Sequence, residues 1–485
     1  MEKTGVTQKF STKNLTTSGI RDRVSLSGRE DRRFVPQPTG NGPQIGERGG
    51  SFYEPEVETL GRDALQELQL GRLREQVRRC DEGSAFYREK FRAVGFEPGD
   101  LRNLDDLRDL PFVHKQELRD EQAAHPPFGR YVVSPLSEIR ELHPSTGTTG
   151  NPVHTLWTFN DARIIARFTA RMLWQAGARP GDVIQNAFSY GLWIAGMAVH
   201  YAAELLRCFV VPIGATMTER QIWYFQNAGS KVFLATPSYA LHIAERMREE
   251  SVDPRAIPLR IGLFGGEGGT ETEGTRAKIE TGLGIDAFDI YGLSEIYPTC
   301  SAECAAKAGL HWPEDHLLIE VIDPETLRPV PEGETGVLVI THLTREACPM
   351  IRYWTNDIAR LDISRCACGR THVRSPGGIL GRHDDLVVYR GAKFYPIQVE
   401  NVIRGMEELG GEFQIVLSTD RKTGADVCTV VVEPLREHSD LPALREKVRG
   451  RLQEALRVTP ELELKPFGTL ERTTHKAKRI RDERG

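Results

Sequence analysis

The chain has no apolar run of the roughly 18 residues that a membrane-spanning helix requires. Its opening stretch, Met1 to Ile20, lacks the apolar segment of a secretory signal. Neither a membrane partner nor secretion is expected. Cysteine is sparse, with 8 in 485 residues. That is too few for a disulfide framework and fits a reducing, cytoplasmic setting. There is no basic excess: the formal net charge is −5, which argues against nucleic acid or a polybasic membrane surface as the main partner. The lysine-bearing phosphate-loop pattern G-x-x-x-x-G-K-[ST] is missing too.

What is present is a globular chain, 39% hydrophobic and 27% charged, with material for about three domains or two unequal ones. Residues 1–50 are rich in Ser, Thr, Gly, Arg and Gln and read as a disordered N-terminal arm. From Glu56, Leu60, Ala64, Leu68, Leu73 and Val77 recur at helical spacing. Phe86, Tyr87 and Phe91 follow on a second helix. Leu104, Leu107, Leu110, Phe112, Val113, Lys115 and Leu118 read as packing residues.

Helices and short strands then alternate. Helices are expected over Asp161–Gln175, Leu192–Leu205, Glu219–Asn227 and Ser238–Glu250. Strands are expected over Val183–Phe188, Cys208–Ile213, Lys231–Ala235, Arg260–Phe264 and Asp286–Ile290. This alternation implies right-handed βαβ units and a largely parallel sheet, whose ligands sit at the carboxyl ends of the strands. Beyond residue 310 the pattern turns strand-rich: Leu317–Ile322, Gly336–Thr341, Ile358–Asp362 and Leu386–Tyr389. A small α+β unit closes the chain, with a helix opened by Pro396, strands Phe413–Leu417 and Val427–Val432, a helix over Leu441–Leu456 and a last strand near Leu462. The fold class is α/β. A large domain over 51–382 with parallel sheets, helices and a β-rich subdomain is expected, and a small α+β domain over 383–485, which the family resemblance described below implies to be mobile.

Before the parallel strands lies Ser145-Thr146-Gly147-Thr148-Thr149-Gly150. Four hydroxyls and two glycines suit a loop whose backbone N–H groups surround an anion, since glycine lets the backbone approach and adopt positive φ. A flexible Ser/Thr/Gly linker would look the same. Further stretches follow: Tyr291-Gly292-Leu293-Ser294-Glu295, Arg352-Tyr353-Trp354-Thr355-Asn356-Asp357, Gly381-Arg382-His383-Asp384-Asp385, Arg390-Gly391 and Lys476. In this order they resemble the phenylacetate–coenzyme A ligase family of adenylate-forming enzymes, over roughly residues 52–485.

The resemblance implies ATP-dependent activation of a carboxylic acid to an acyl-adenylate, then transfer to the thiol of coenzyme A. It implies that the glycine loop holds the leaving phosphates and that Glu295 holds Mg²⁺. Gly266 and Glu267 would line the adenine, with Tyr291 stacked on it and Gly292 beside it. Asp357 would accept the ribose hydroxyls, supported by Arg382. Asp384 is the implied hinge, and Lys476 the mobile lysine that neutralises the α-phosphate. Arg390 and Gly391 would line the thiol face after domain rotation. The chain departs from the family at Asn151, where a lysine is common, at Gly268, and at His475 in place of glycine.

Cys366-Ala367-Cys368 is a tight turn suited to holding a metal. With Cys304 and His311 it would make a closed Cys₃His zinc site, as in a subset of the family; Cys300, His316 and His372 are alternative ligands. Phe188, Tyr190, Trp193 and Tyr297 stand where an acid pocket would form, and core packing would explain them equally well. An aromatic pocket favours an aryl or arylacetic acid, and the sequence offers no fixed cation to pair with its carboxylate beyond His143 and Arg390. Partners are therefore a small-molecule acid, ATP and coenzyme A, with a homodimer compatible with the same reading. Two other readings stay open. One is an adenylating enzyme whose acceptor is an amine, a carrier protein or another nitrogen nucleophile. The other is a nucleotide-binding homologue without turnover.

Overall fold

The computed structural model describes residues 50–145, 151–192, 194–215, 217–420, 422, 424–434, 440–472 and 479–484. All of them belong to one compact unit, Ile45–Gly485. The expected N-terminal arm lies outside the described residues except for Gly50. No helix among the described residues is long and apolar enough to cross a membrane.

Five strands form the parallel sheet: Val183–Asn186, Phe209–Val211, Val232–Ala235, Ile261–Phe264 and Asp286–Tyr291. Their spatial order places Val183–Asn186 between Phe209–Val211 and Val232–Ala235, with the other two beyond. The chain thus reverses its direction of travel across the sheet after the second strand. Such a reversal opens a crevice at the carboxyl ends, because the flanking connections leave in opposite directions. Helices Phe159–Gln175, Ala195–Leu205, Thr218–Asn227, Pro237–Glu249 and Glu273–Leu283 supply or flank the crossovers. Three two-residue strands extend this sheet antiparallel from Asp286–Tyr291: Ser301–Ala302, Leu310–His311 and Arg374–Ser375.

The strand-rich region is a four-stranded antiparallel sheet of Leu317–Ile322, Gly336–His342, Tyr353–Ala359 and Gly381–Arg382. Here the strand expected at Ile358–Asp362 begins earlier, at Tyr353. Polar Thr355, Asn356 and Asp357 break the apolar alternation because they lie in an irregularity. The register to Gly336–His342 shifts there and Asn356 has φ +66°. An extra residue in one strand bends it and re-aims its side chains.

The C-terminal region has its own apolar core, built around Val399, Ile403, Ile415, Val430, Val448 and Leu452. Its sheet runs Glu461–Leu464, Asp426–Pro434, Leu409–Thr419 and Ile480–Asp482, covered by helices Pro396–Arg404 and Leu441–Leu456. The strand near Leu462 is therefore not the last. Ile480–Asp482 adds a parallel edge strand, Ile415 opposite Ile480, although its charged composition gives no strand signal. Helix Arg62–Gly83 is rotated from the expected stripe. It buries Leu65, Leu73, Val77 and Cys80 along with Gln69 and Gln76. The two glutamines are tolerated because each amide donates to a buried carbonyl, Gln69 to Glu314 O at 3.0 Å and Gln76 to Arg345 O at 2.7 Å.

Candidate active site

The last parallel strand delivers Tyr291 to the crevice and the turn after it delivers Glu295. Only glycine fits at 292, where a Cβ would stand 2.0 Å from Pro298 O. Antiparallel register sets Asp357 directly opposite Arg382. The Tyr291 hydroxyl donates to Asp357 Oδ2 at 2.5 Å, and Arg382 Nη1 donates to Asp357 Oδ1 at 3.1 Å. Burial, and then the Asp357 charge, hold the Tyr291 phenol far above its ordinary range, so it stays a donor. Burial opposes the Arg382 charge, but Asp357 and then Asp384 outweigh it and raise the guanidinium further. Arg382 also donates to Asp384 from Nε at 2.9 Å and Nη2 at 2.7 Å, and Asn356 Nδ2 reaches Asp384 at 3.3 Å. An ionised carboxylate has about four acceptor positions. Asp357 can therefore keep both of these donors and still receive a pair of hydroxyls.

On the other side of the crevice, Glu295 is 3% exposed. Its Oε1 lies 2.7 Å from Lys115 Nζ, yet no hydrogen bond of good geometry satisfies that oxygen. Lys115 is therefore not a packing residue as its spacing suggests; it is an ion-pair partner at the site. A buried carboxylate oxygen with spare acceptor capacity beside mobile positive charge fits a hard divalent cation. Thr146, Gly147, Thr148, Thr149 and Gly150 lie outside the described residues. The neck of their loop is closed by Ser145, whose N–H donates to Val153 O at 2.8 Å and whose Oγ accepts from Val153 N at 3.0 Å.

Gly266 has φ +88° in the turn after Ile261–Phe264. Glu267 accepts from Ser238 N at 2.8 Å, at the N-terminus of helix Pro237–Glu249, where a negative charge is favoured. Below this turn Glu271 Oε1 is buried without a hydrogen bond. Burial and then the nearby Glu400 push the Glu271 carboxyl up to about 8. Asp289 is raised well above the usual range by burial and then by Glu271.

Of the pocket candidates, Phe188 is buried after its strand. Tyr190 Oη accepts from Asn186 Nδ2 at 2.9 Å and lies 3.3 Å from His200 Nδ1. Tyr297 is fully buried, its ring centroid 4.8 Å from both Phe168 and His342. Trp193 lies outside the described residues. His143 is engaged, with Nε2 3.1 Å from Glu141 and Nδ1 3.2 Å from Leu192 O. Arg390 and Gly391 are the two turn residues of the hairpin Val387–Tyr389/Ala392–Phe394, both with positive φ, +50° and +82°. A two-residue hairpin requires this, and it leaves the Arg390 side chain exposed over the Tyr389 ring. Lys476 lies outside the described residues.

Cys304, His311, Cys366 and Cys368 converge, with one ligand atom from each within 4.8 Å of all the others. The short strand Leu310–His311 carries the imidazole and the Cys366–Cys368 turn two thiols. A hydrogen bond with Cys304 pushes the Cys368 thiol down to about 2 against its burial, and the same contact drives Cys304 up. Three sulfurs and one imidazole match a closed tetrahedral zinc site. The alternatives are occupied elsewhere. His316 Nδ1 faces Thr344 Oγ1 at 2.8 Å, and His372 contacts Trp312 O and Val57 O, each at 3.1 Å. Cys300 is buried outside the quartet.

The C-terminal region packs beside the crevice. Arg404 and Arg479 both donate to Ser238 Oγ, at 3.3 Å and 3.0 Å, and Lys278 Nζ donates to Met406 O at 2.9 Å.

Two family models match the chain, "AMP-binding enzyme" over residues 142–354 and "AMP-binding enzyme C-terminal domain" over 391–484. A phenylacetate-coenzyme A ligase of Thermus thermophilus is 41% identical over 441 residues, spanning 87% of this chain and 97% of that protein. Among solved structures, a 2-hydroxyisobutyryl-CoA ligase in its postadenylation state with R3-HIB-AMP superposes with a TM-score of 0.86. It is 33% identical and covers 94% of this chain and 96% of its own. The same ligase in its thioesterification state, with 2-HIB-AMP and CoA, superposes with 0.70 at 34% identity, covering 94% and 97%.

Proposed function

The chain belongs to the phenylacetate–coenzyme A ligase family, and from that premise we propose how its residues carry out acid activation and thioester formation. The enzyme is an AMP-forming acid–thiol ligase. It joins a carboxylic acid to ATP as an acyl-adenylate and passes the acyl group to coenzyme A. The observation that carries the residue assignments is the convergence of Tyr291, Asp357 and Arg382 on one side of the crevice and Glu295 on the other. Phosphoryl chemistry of this kind is mainly positioning and charge stabilisation.

Asp357 anchors the ribose hydroxyls, while Tyr291 and Arg382 keep the carboxylate fixed and charged. Glu295 is the residue that would hold Mg²⁺, which would supply positive charge to the phosphates. The acid's carboxylate oxygen bonds to the α-phosphorus, the bond to the bridging oxygen breaks, and pyrophosphate departs with that electron pair. Lys476 neutralises the α-phosphate. We take residues 51–382 as the large domain and 383–485 as the small one, with the hinge at Asp384. Rotation about it brings the Arg390–Gly391 turn to the thiol face, so that each orientation completes one half-reaction. Cys304, His311, Cys366 and Cys368 would hold a structural Zn²⁺ that ties the two-residue strand Leu310–His311 to the Cys366 turn. The acid is aryl or arylacetic, in keeping with Phe188 and Tyr190 at the strand end.

The test is incubation with ATP, Mg²⁺, coenzyme A and a panel of aryl, arylacetic and short hydroxy acids. Acid-dependent pyrophosphate release and a thioester mass are expected, largest for an aryl acid. An acyl-AMP that persists unchanged in coenzyme A would assign another acceptor. No release with any acid would overturn the proposal.

A further inference from the structure

The glycine loop is followed by Asn151, Pro152 and Val153, so the loop's own exit brings no cation to the phosphate side. The described structure supplies one from elsewhere. Lys115 opens helix Lys115–Ala124, and its side chain, 35% exposed, reaches Glu295 Oε1 at 2.7 Å. This is the one ion pair that Glu295 makes among the described residues.

The helix is fixed to both neighbours of the site. Arg119 Nε donates to Asn151 O at 3.1 Å and Gln122 Nε2 to Pro152 O at 3.1 Å, so it grips the exit of the loop. His154 N donates back to Gln122 Oε1 at 2.6 Å. At the start of the helix, Val113 N donates to Arg352 O at 3.0 Å, and Val113 O accepts from Trp354 N at 2.9 Å. That ties the segment to the strand bearing Asp357. Lys115 is thus held by its backbone between the loop exit and the ribose strand, while its long stem stays free to redirect.

Resting on the ligase reading, we propose that Lys115 is a phosphate-binding residue of this enzyme that serves as the exchangeable counter-ion of Glu295. In the metal-free enzyme Lys115 neutralises Glu295. When the carboxylate is taken by a divalent cation, the ammonium turns to the β- and γ-phosphates of ATP. It contributes charge to the departing pyrophosphate and nothing to the second half-reaction, in which no pyrophosphate is present. A point charge on a flexible stem suits this exchange better than a planar guanidinium would.

The test measures ATP and AMP binding to the full-length enzyme by calorimetry in saturating Mg²⁺ with acid and coenzyme A withheld, so that Glu295 is engaged and no turnover enters. Lys115→Met should weaken ATP at least about tenfold, the size of one charge-assisted hydrogen bond, and leave AMP within about twofold. Lys115→Arg should recover part of the ATP loss. Equal losses for ATP and AMP, or no loss for either, would overturn the assignment, because a purely structural pair does not distinguish the two nucleotides. If the Met variant does not fold, Lys115→Gln, which keeps most of the stem, gives the same contrast. An unmodified enzyme without acid-dependent pyrophosphate exchange would sink the ligase reading, while the ATP-to-AMP contrast would still decide Lys115.

Discussion

The ribose and phosphate ends of the proposed nucleotide site are built in opposite ways. At the ribose end, Asp357 and Arg382 are register partners on neighbouring strands, and Tyr291 closes the triad from the end of the parallel sheet. Both carboxylate oxygens are engaged, and strand register places Asp357 opposite Arg382. At the phosphate end, Glu295 has a single ion pair among the described residues, made by a flexible side chain from a helix packed over the site, and one oxygen lacks a good hydrogen bond. Buried charge is costly unless it is paired and hydrogen-bonded. The ribose end meets that requirement with its own residues; the phosphate end awaits ligands. One end is preorganised and the other is kept exchangeable, as suits groups that stay bound as AMP and groups that leave as pyrophosphate.

The largest effect should come from the small domain. Lys476→Ala is expected to lower adenylation roughly 100-fold or more, the scale of removing one transition-state charge partner. Thiolysis of supplied acyl-AMP should change little. If both half-reactions survive equally, the lysine assignment is wrong. Next, Asp357→Asn should reduce kcat/KM for ATP by roughly 10- to 100-fold, since it removes charge from two hydrogen-bonded donors. Asp357→Asn should weaken AMP binding along with ATP binding, whereas Lys115→Met should weaken ATP alone. Equal loss of AMP binding in both variants would break the contrast between the two ends.

Chelation, or Cys368→Ser, acts on neither end. It should lower the unfolding temperature by several degrees, because metal binding free energy is folding free energy. kcat/KM measured well below that temperature should stay nearly unchanged. A collapse of activity in protein that remains folded would make the quartet part of the chemistry.

The last effect is one of pH and concerns Glu271. Its folded pKa is raised from 4.5 to about 8. Between those values the folded state holds a proton that the unfolded state has lost, so stability falls as pH rises from about 4.5 to about 8 and levels off above. Glu271→Gln should flatten that slope and raise stability at pH 8 in thermal melts. An unchanged pH profile would mean that Glu271 is ionised in the fold.

The parallel strands were legible because buried strands are short apolar runs separated by helix-length segments, and each was found within two residues of its ends. Pro396 was legible as a helix start because its fixed φ suits the first helical position. Ligand chemistry made the Cys366–Cys368 turn legible as a metal knuckle, but it left Cys300, His316 and His372 open beside Cys304 and His311 until the fold brought the quartet together. What escaped was anything set by docking. Lys115 sits among leucines at helical spacing, and nothing local says that its helix lies over Glu295. Asn356 hides a bulge that makes Tyr353–Ala359 look like loop, and Ile480–Asp482 is a strand only because Leu409–Thr419 offers it an edge. Gln69 and Gln76 rotate their helix by finding carbonyls on segments far away in the sequence.

The central claim is activation through an adenylate, and isotope exchange tests it most directly. Labelled pyrophosphate, ATP, Mg²⁺ and the preferred acid are mixed with enzyme, with coenzyme A withheld. Acid-dependent appearance of label in ATP is predicted, followed by conversion of the pool to thioester and AMP when coenzyme A is added. Thioester formation without prior exchange, or with ADP as the product, would contradict it.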